Sequence, residues 1–98
     1  MKHIAYIAIG SNIGNPRDNC IEAIREISKN ASIKIISKSS FYQTSPIGPI
    51  QQEWFINSAI KINTSLTPIK LLTNLLNIES AMGRVRKEKW GPRLIDLD

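Results

Sequence analysis

Two aspartates one residue apart, Asp96-Leu97-Asp98, follow a decapeptide that carries Arg84, Arg86, Lys87, Lys89 and Arg93 against a single acid, Glu88. On a strand, residues two apart point to one side, so both carboxylates face the same way while Leu97 faces the other. Carboxylates held that close repel one another unless a cation or a proton lies between them. Mg²⁺ suits such a pair, because it takes one or two carboxylates and completes its shell with water and substrate phosphate. Alone, an Asp-x-Asp pair describes two solvated acids at a strand end equally well. The neighbouring arginines shift the balance. Their planar forks fit phosphate oxygens, and Gly91-Pro92 restricts the chain between the basic loop and the strand. Arginines beside a carboxylate-held cation form the apparatus of phosphoryl transfer, where positioning and charge neutralisation supply most of the catalysis. A P-loop is excluded, since Gly10 and Gly14 lack the Gly-Lys-[Ser/Thr] that follows in that class. The turn at 10–15 reads as structural.

These groups need a scaffold, and 98 residues supply one domain at most. Apolar residues make up 42% of the chain, 18 of them Ile, and charged residues 21%, so a packed core is expected rather than disorder. One cysteine excludes an internal disulfide, and no Cys/His cluster is present to hold zinc. Cys20 lies among apolar neighbours and reads as a small buried hydrophobe. The longest apolar run, Ile4 to Ile9, is too short for a membrane span or a secretory leader, and a cytoplasmic protein without a membrane partner is expected. The net charge of +5 is unevenly spread: residues 84–93 carry +4, whereas residues 1–83, with 8 basic and 5 acidic groups, carry only +3.

Lys2–Ile9 reads as a buried strand rich in β-branched residues. Asn15 is placed to cap a helix over about residues 16–29, with Pro16 at its first position and Asp18 in its first turn. Cys20, Ile21, Ala23, Ile24 and Ile27 give that helix one apolar face. Ile33–Tyr42 is a second strand, and the segment from Thr44 to Gln52 is a loop restricted by Pro46 and Pro49. Trp54–Ile62 is a third strand, with Phe55, Asn57 and Ala59 on one face and Ile56, Ser58 and Ile60 on the other. Thr67-Pro68 starts a second helix, whose apolar positions run from Ile69 through Leu71, Leu72, Leu75, Leu76 and Ile78 to Met82, with Gly83 as its stop. Leu94–Asp98 begins a fourth strand. The order β-α-β-β-α-β predicts an α+β, ferredoxin-like fold with its last strand cut at the chain end.

Gly83-Arg84-Val85-Arg86 followed by Trp90-Gly91-Pro92-Arg93-Leu94-Ile95-Asp96-Leu97-Asp98 resembles the signature of the 6-hydroxymethyl-7,8-dihydropterin pyrophosphokinases. The likeness continues through Ala5-Tyr6-Ile7-Ala8-Ile9-Gly10-Ser11-Asn12, Ser40-Phe41-Tyr42-Gln43-Thr44, Ile47-Gly48-Pro49 and Phe55-Ile56-Asn57, in order, over essentially the whole chain. It implies a folate-pathway enzyme that moves pyrophosphate from ATP to a pterin alcohol. By that resemblance Asp96 and Asp98 hold two Mg²⁺ ions, and Arg84 and Arg93 are catalytic arginines that neutralise the triphosphate. Arg86, Arg93, Glu79 and Trp90 lie on the ATP side, with Trp90 also closing over the pterin, and residues 84–91 form a lid ordered by substrate. Residues 1–98 would then be a single pyrophosphokinase domain, incomplete at its C-terminal end, acting as a monomer.

The pterin side has its own physical sense. A pterin is a flat bicycle with an amide-like edge. Phe55 offers a face for stacking, Asn57 a donor and an acceptor for the edge, and the backbone of Thr44, Ser45 and Ile47 can complete it. The chain departs from the family at Leu76, where many members carry a glutamine that contacts the nucleotide, and at Ser45, where proline is frequent. The loop from Arg84 to Arg93 is also one residue shorter than in some members. Two other readings compete. A folded but inactive piece of such an enzyme is one. A basic ferredoxin-like RNA-binding module is the other, yet the Lys/Arg-Gly-Phe/Tyr-Gly/Ala-Phe pattern is missing, and the two aspartates would repel a phosphate backbone unless they held metal. No nucleic-acid partner is expected.

Overall fold

A computed structural model describes residues 3–83 and 94–97, residue 96 by its backbone alone. In chain order the elements are β1 (His3–Ser11), α1 (Pro16–Ser28), β2 (Ile33–Lys38), β3 (Tyr42–Thr44), β4 (Phe55–Thr64), α2 (Pro68–Ala81) and β5 (Asp96–Leu97). The strands form one antiparallel sheet in the order β2-β4-β1-β5, with β3 pairing β4 beyond the end of β2. This is the expected ferredoxin-like arrangement with one short strand added.

Both helices begin where the sequence says they should. The Asn15 side chain accepts from Asp18 N–H at 3.2 Å and that of Thr67 from Lys70 N–H at 3.3 Å, each followed by proline in the first turn. Such caps are worth about 1 kcal/mol each. Gly83, at φ +94°, turns the chain away after α2 in a conformation that other residues adopt only with strain. The helices cover one face of the sheet. Ile7 and Ile9 of β1, Ile60 and Ile62 of β4, and Leu97 of β5 are buried there with Cys20, Ala23 and Ile27 of α1 and Leu75 and Ile78 of α2.

Four expectations need correction. The first strand is buried on one face only: Ile7 and Ile9 lie in the core, while Ile4, Tyr6 and Ala8 are exposed on the face without helices. Its continuous apolar run therefore hides an ordinary period-two alternation. The second strand does not run to Tyr42. A register shift between Ile35 and Ser37 leaves Ile36 as an extra, exposed residue. At Ser39 the pairing partner changes character, because Ala59 N–H goes to the Ser39 hydroxyl at 2.8 Å. The chain leaves the sheet there and returns at Tyr42 as β3. Finally, only one stripe of α2, carrying Leu71, Leu75, Ile78 and Met82, packs on the core, whereas Ile69, Leu72 and Leu76 are exposed. The third strand also differs slightly, starting at Phe55 and extending to Thr64, with Trp54 exposed outside it.

Candidate active site

The helix-free face carries Phe55 and Asn57, two of the residues singled out from the sequence. One row crosses four strands: Tyr42 of β3 pairs with Asn57 of β4, Asn57 with Gly10 of β1, and Gly10 with Asp96 of β5. The faces follow from burial. Ser58 and Ile60 are buried beneath the helices, so Asn57 takes the open side. With strands spaced by about 4.8 Å, two steps separate Asn57 from position 96 by roughly 10 Å.

Asn57 is held in one orientation. Its Nδ2 donates to Thr44 Oγ1 at 2.7 Å and, at the long distance of 3.5 Å, to the Tyr42 carbonyl. That leaves Oδ1 over Gly10. A methyl group at position 10 would lie 2.9 Å from Asn57 Oδ1 and 3.7 Å from Phe55 Cδ1. Glycine is thus needed because an amide and a ring approach the backbone closely, not because a turn starts there. Phe55, paired with Thr44, presents a half-buried ring next to this spot.

The loop after β3 is tied to the same corner. Asn12, 5% exposed, donates from Nδ2 to Gln52 Oε1 and to the Glu53 carbonyl, both at 2.8 Å. Within this loop Ile47 is 72% exposed and Gly48 has φ +104°. Ser45 is exposed as well. Thr44, Phe55 and Asn57 are therefore brought together around Gly10, while Ser45 and Ile47 follow in the exposed loop at its margin.

The strand that carries Asp96 is held from the helical side. Asn19 of α1 donates from Nδ2 to Ser11 Oγ (3.1 Å), the Ile13 carbonyl (2.8 Å) and the Leu94 carbonyl (3.3 Å). Glu79 of α2, 3% exposed, accepts the Leu97 N–H on Oε2 at 2.9 Å. Glu79 was expected beside the nucleotide, and the geometry gives it this hold on β5. Arg84, Arg86, Trp90, Arg93 and Asp98 lie outside the described residues. A groove of about 550 Å³ lined by Ile21, Ile24, Ile35 and Phe41 opens between α1 and β2. It lies on the helical side, away from the Asn57 row. Burial pushes the Cys20 thiol up to about 11, so the cysteine is an inert part of the core.

Sequence reasoning read Gly10 and Asn12 only as part of a structural turn and a family motif, and assigned no part to Asn19. A glycine ending an apolar strand was a usable signal for a close backbone approach. The two asparagines act on residues about forty and seventy-five positions away, and no local pattern announces such contacts.

Residues 6–98 match the family described as 7,8-dihydro-6-hydroxymethylpterin-pyrophosphokinase. The chain belongs to this family. It is 44% identical over 94 residues to the 2-amino-4-hydroxy-6-hydroxymethyldihydropteridine pyrophosphokinase of Methylorubrum extorquens, covering 96% of this chain and 60% of that protein. The protein of the same name from Haemophilus influenzae is likewise 44% identical over 94 residues, covering 96% of this chain and 59% of its own length. The Bacillus subtilis protein of that name is 43% identical over all 98 residues, again 59% of its length. The chain thus spans about 60% of these pyrophosphokinases. Within it lie the whole Tyr42–Asn57–Gly10–Asp96 row and the loop tethered by Asn12.

Proposed function

We propose that the protein transfers pyrophosphate from ATP to 6-hydroxymethyl-7,8-dihydropterin in folate biosynthesis. The hydroxymethyl oxygen bonds to the β-phosphorus of ATP, and that phosphorus parts from the oxygen linking it to the α-phosphorus. AMP leaves, and the hydroxyl gives up its proton. The observation that carries this reading is the row across the sheet, which sets an oriented amide and an aromatic ring two strands from Asp96.

On the pterin side, Phe55 stacks on the flat bicycle and Asn57 Oδ1 accepts from its amide-like edge, with Thr44 fixing the amide. Gly10 leaves room for the ring. Thr44, Ser45 and Ile47 complete the edge through their backbone. The donor set suits Mg²⁺, because two carboxylates spaced Asp-x-Asp fall on one side wherever the chain is extended. Asp96 and Asp98 would hold two ions, whose chemistry is to screen the triphosphate and align it with the pterin alcohol. Arg84 and Arg93 neutralise charge that moves onto the leaving oxygen, and Arg86 and Trp90 secure the nucleotide and pterin. In this reading the enzyme works in the cytoplasm as a monomer, without nucleic acid.

The test uses the complete natural protein with ATP, Mg²⁺ and the pterin. AMP and pterin diphosphate should form one to one, with no AMP when the pterin is omitted. ADP as the nucleotide product overturns the assignment.

A further inference from the structure

Among the described residues β5 covers Asp96–Leu97 and pairs with β1. Two helix side chains hold it from the helical side. Asn19 reaches from α1 to the Leu94 carbonyl at 3.3 Å, just before the strand, and Glu79 reaches from α2 to the Leu97 N–H at 2.9 Å, at its end. Asn19 is also anchored to Ser11 Oγ and the Ile13 carbonyl, so the same amide that holds Leu94 holds the end of β1 against which β5 pairs. The side chains of Ile95 and Leu97 are both buried.

We infer that Asn19 and Glu79 are positioning residues that clamp β5 from the helical side, fixing the height and register of its backbone at Asp96. The inference rests on the reading of Asp96 and Asp98 as Mg²⁺ ligands. The clamp acts through the backbone of β5 and leaves the Phe55–Asn57 side untouched, because that side is built on β3, β4 and Gly10. A slip of one residue would exchange the two faces of β5, and displacements of about 1 Å suffice to weaken a catalytic constellation.

The experiment takes the complete protein with Asn19→Ala, Glu79→Ala and Glu79→Gln, the last keeping an acceptor for the Leu97 N–H. Two quantities are read: amide hydrogen exchange at Leu97 without metal or nucleotide, and the Mg²⁺ concentration giving half-maximal turnover. Both alanine variants should exchange Leu97 faster and raise the Mg²⁺ requirement roughly tenfold, the size of one lost hydrogen bond. Their affinity for the pterin alone should stay at the parent value, and Glu79→Gln should restore most of both readouts. Unchanged exchange at Leu97, or faster exchange with an unchanged Mg²⁺ requirement, overturns the clamp. So does Glu79→Gln behaving like Glu79→Ala, since the carboxylate would then act through its charge. If Glu79→Ala does not fold, the half-buried Asn19 carries the test by itself. Asp96→Ala serves as the control: full activity with a parental Mg²⁺ requirement removes the metal reading, whereas the exchange data still report on the clamp.

Discussion

Asn57 Oδ1 lies over Gly10 so closely that a methyl group at position 10 would meet it at 2.9 Å. The amide cannot swing away without losing its 2.7 Å bond to Thr44, so the two strands and β3 fix one another's side chains at this point. Gly10→Ala should therefore fold but bind the pterin more weakly. Overpacking of this kind costs about 1–3 kcal/mol, or roughly 5- to 150-fold in affinity if it falls on the bound state. A fluorescence titration with the pterin, paired with a thermal melt, measures both. Parental affinity in a folded Gly10→Ala protein would show that the pterin does not use this corner.

The metal assignment makes a separate prediction. Asp96→Ala and Asp98→Ala should each reduce turnover by at least about 100-fold, because carboxylate-held Mg²⁺ contributes several kcal/mol of charge stabilisation. Asp→Asn should be nearly as damaging, since it keeps the shape and loses the charge. Binding of the pterin alone should persist, as Asn57 and Phe55 belong to a different strand. Near-parental single-turnover rates in either alanine variant would return the pair to solvated acids.

Much of this architecture was legible from local patterns. The Asn15-Pro16 and Thr67-Pro68 pairs marked both helix starts, and alternation on β4 put Asn57 and Phe55 on the face opposite Ser58 and Ile60. What escaped was relational. A run such as Ile4 to Ile9 is apolar at every position, so nothing in it tells that Tyr6 faces away from the helices while Ile7 is buried. The bulge at Ile36 and the break at Ser39 depend on which β4 atoms lie opposite. Likewise the apolar positions of α2 outnumber those its neighbours can cover, leaving Ile69 and Leu72 outside. On the site side, the family resemblance pointed to Asn57 and Phe55, but the close approach at Gly10 arises only once β1 and β4 are paired in register.

Cys20 gives a pH prediction. Its thiol is buried and pushed from 9.0 up to about 11, so the native state keeps a proton that the unfolded chain releases earlier. Stability contributed by the neutral thiol is complete below about pH 9 and is lost as pH rises toward about 11. Urea unfolding of the parent and of Cys20→Ala at pH 7, 9 and 10.5 isolates the effect from tyrosine and lysine titration. The stability gap between the two should narrow with rising pH. A constant gap would mean that the thiol titrates alike in both states.

Asn12 provides the last test, because it joins two parts of the pterin side that are far apart in sequence. Its Nδ2 makes two 2.8 Å bonds, to Gln52 and to the backbone of Glu53, and it is almost fully buried while doing so. Asn12→Ala leaves the Gln52 side chain and the Glu53 carbonyl without that donor, a loss of about 1–3 kcal/mol. The sheet itself does not depend on these bonds, so the cost should be local to residues 45–53. Faster hydrogen exchange and easier proteolytic cleavage are expected in that segment, with protection in β1 and β4 retained. Pterin affinity should fall roughly 5- to 150-fold in parallel, since the backbone of Ser45 and Ile47 would no longer be pre-arranged. Asn12→Asp should not rescue, because a carboxylate has no N–H to give and would face the Glu53 carbonyl oxygen. If Asn12→Ala loosens the loop yet binds the pterin as the parent does, the loop backbone takes no part in recognition, and Phe55 with Asn57 must suffice.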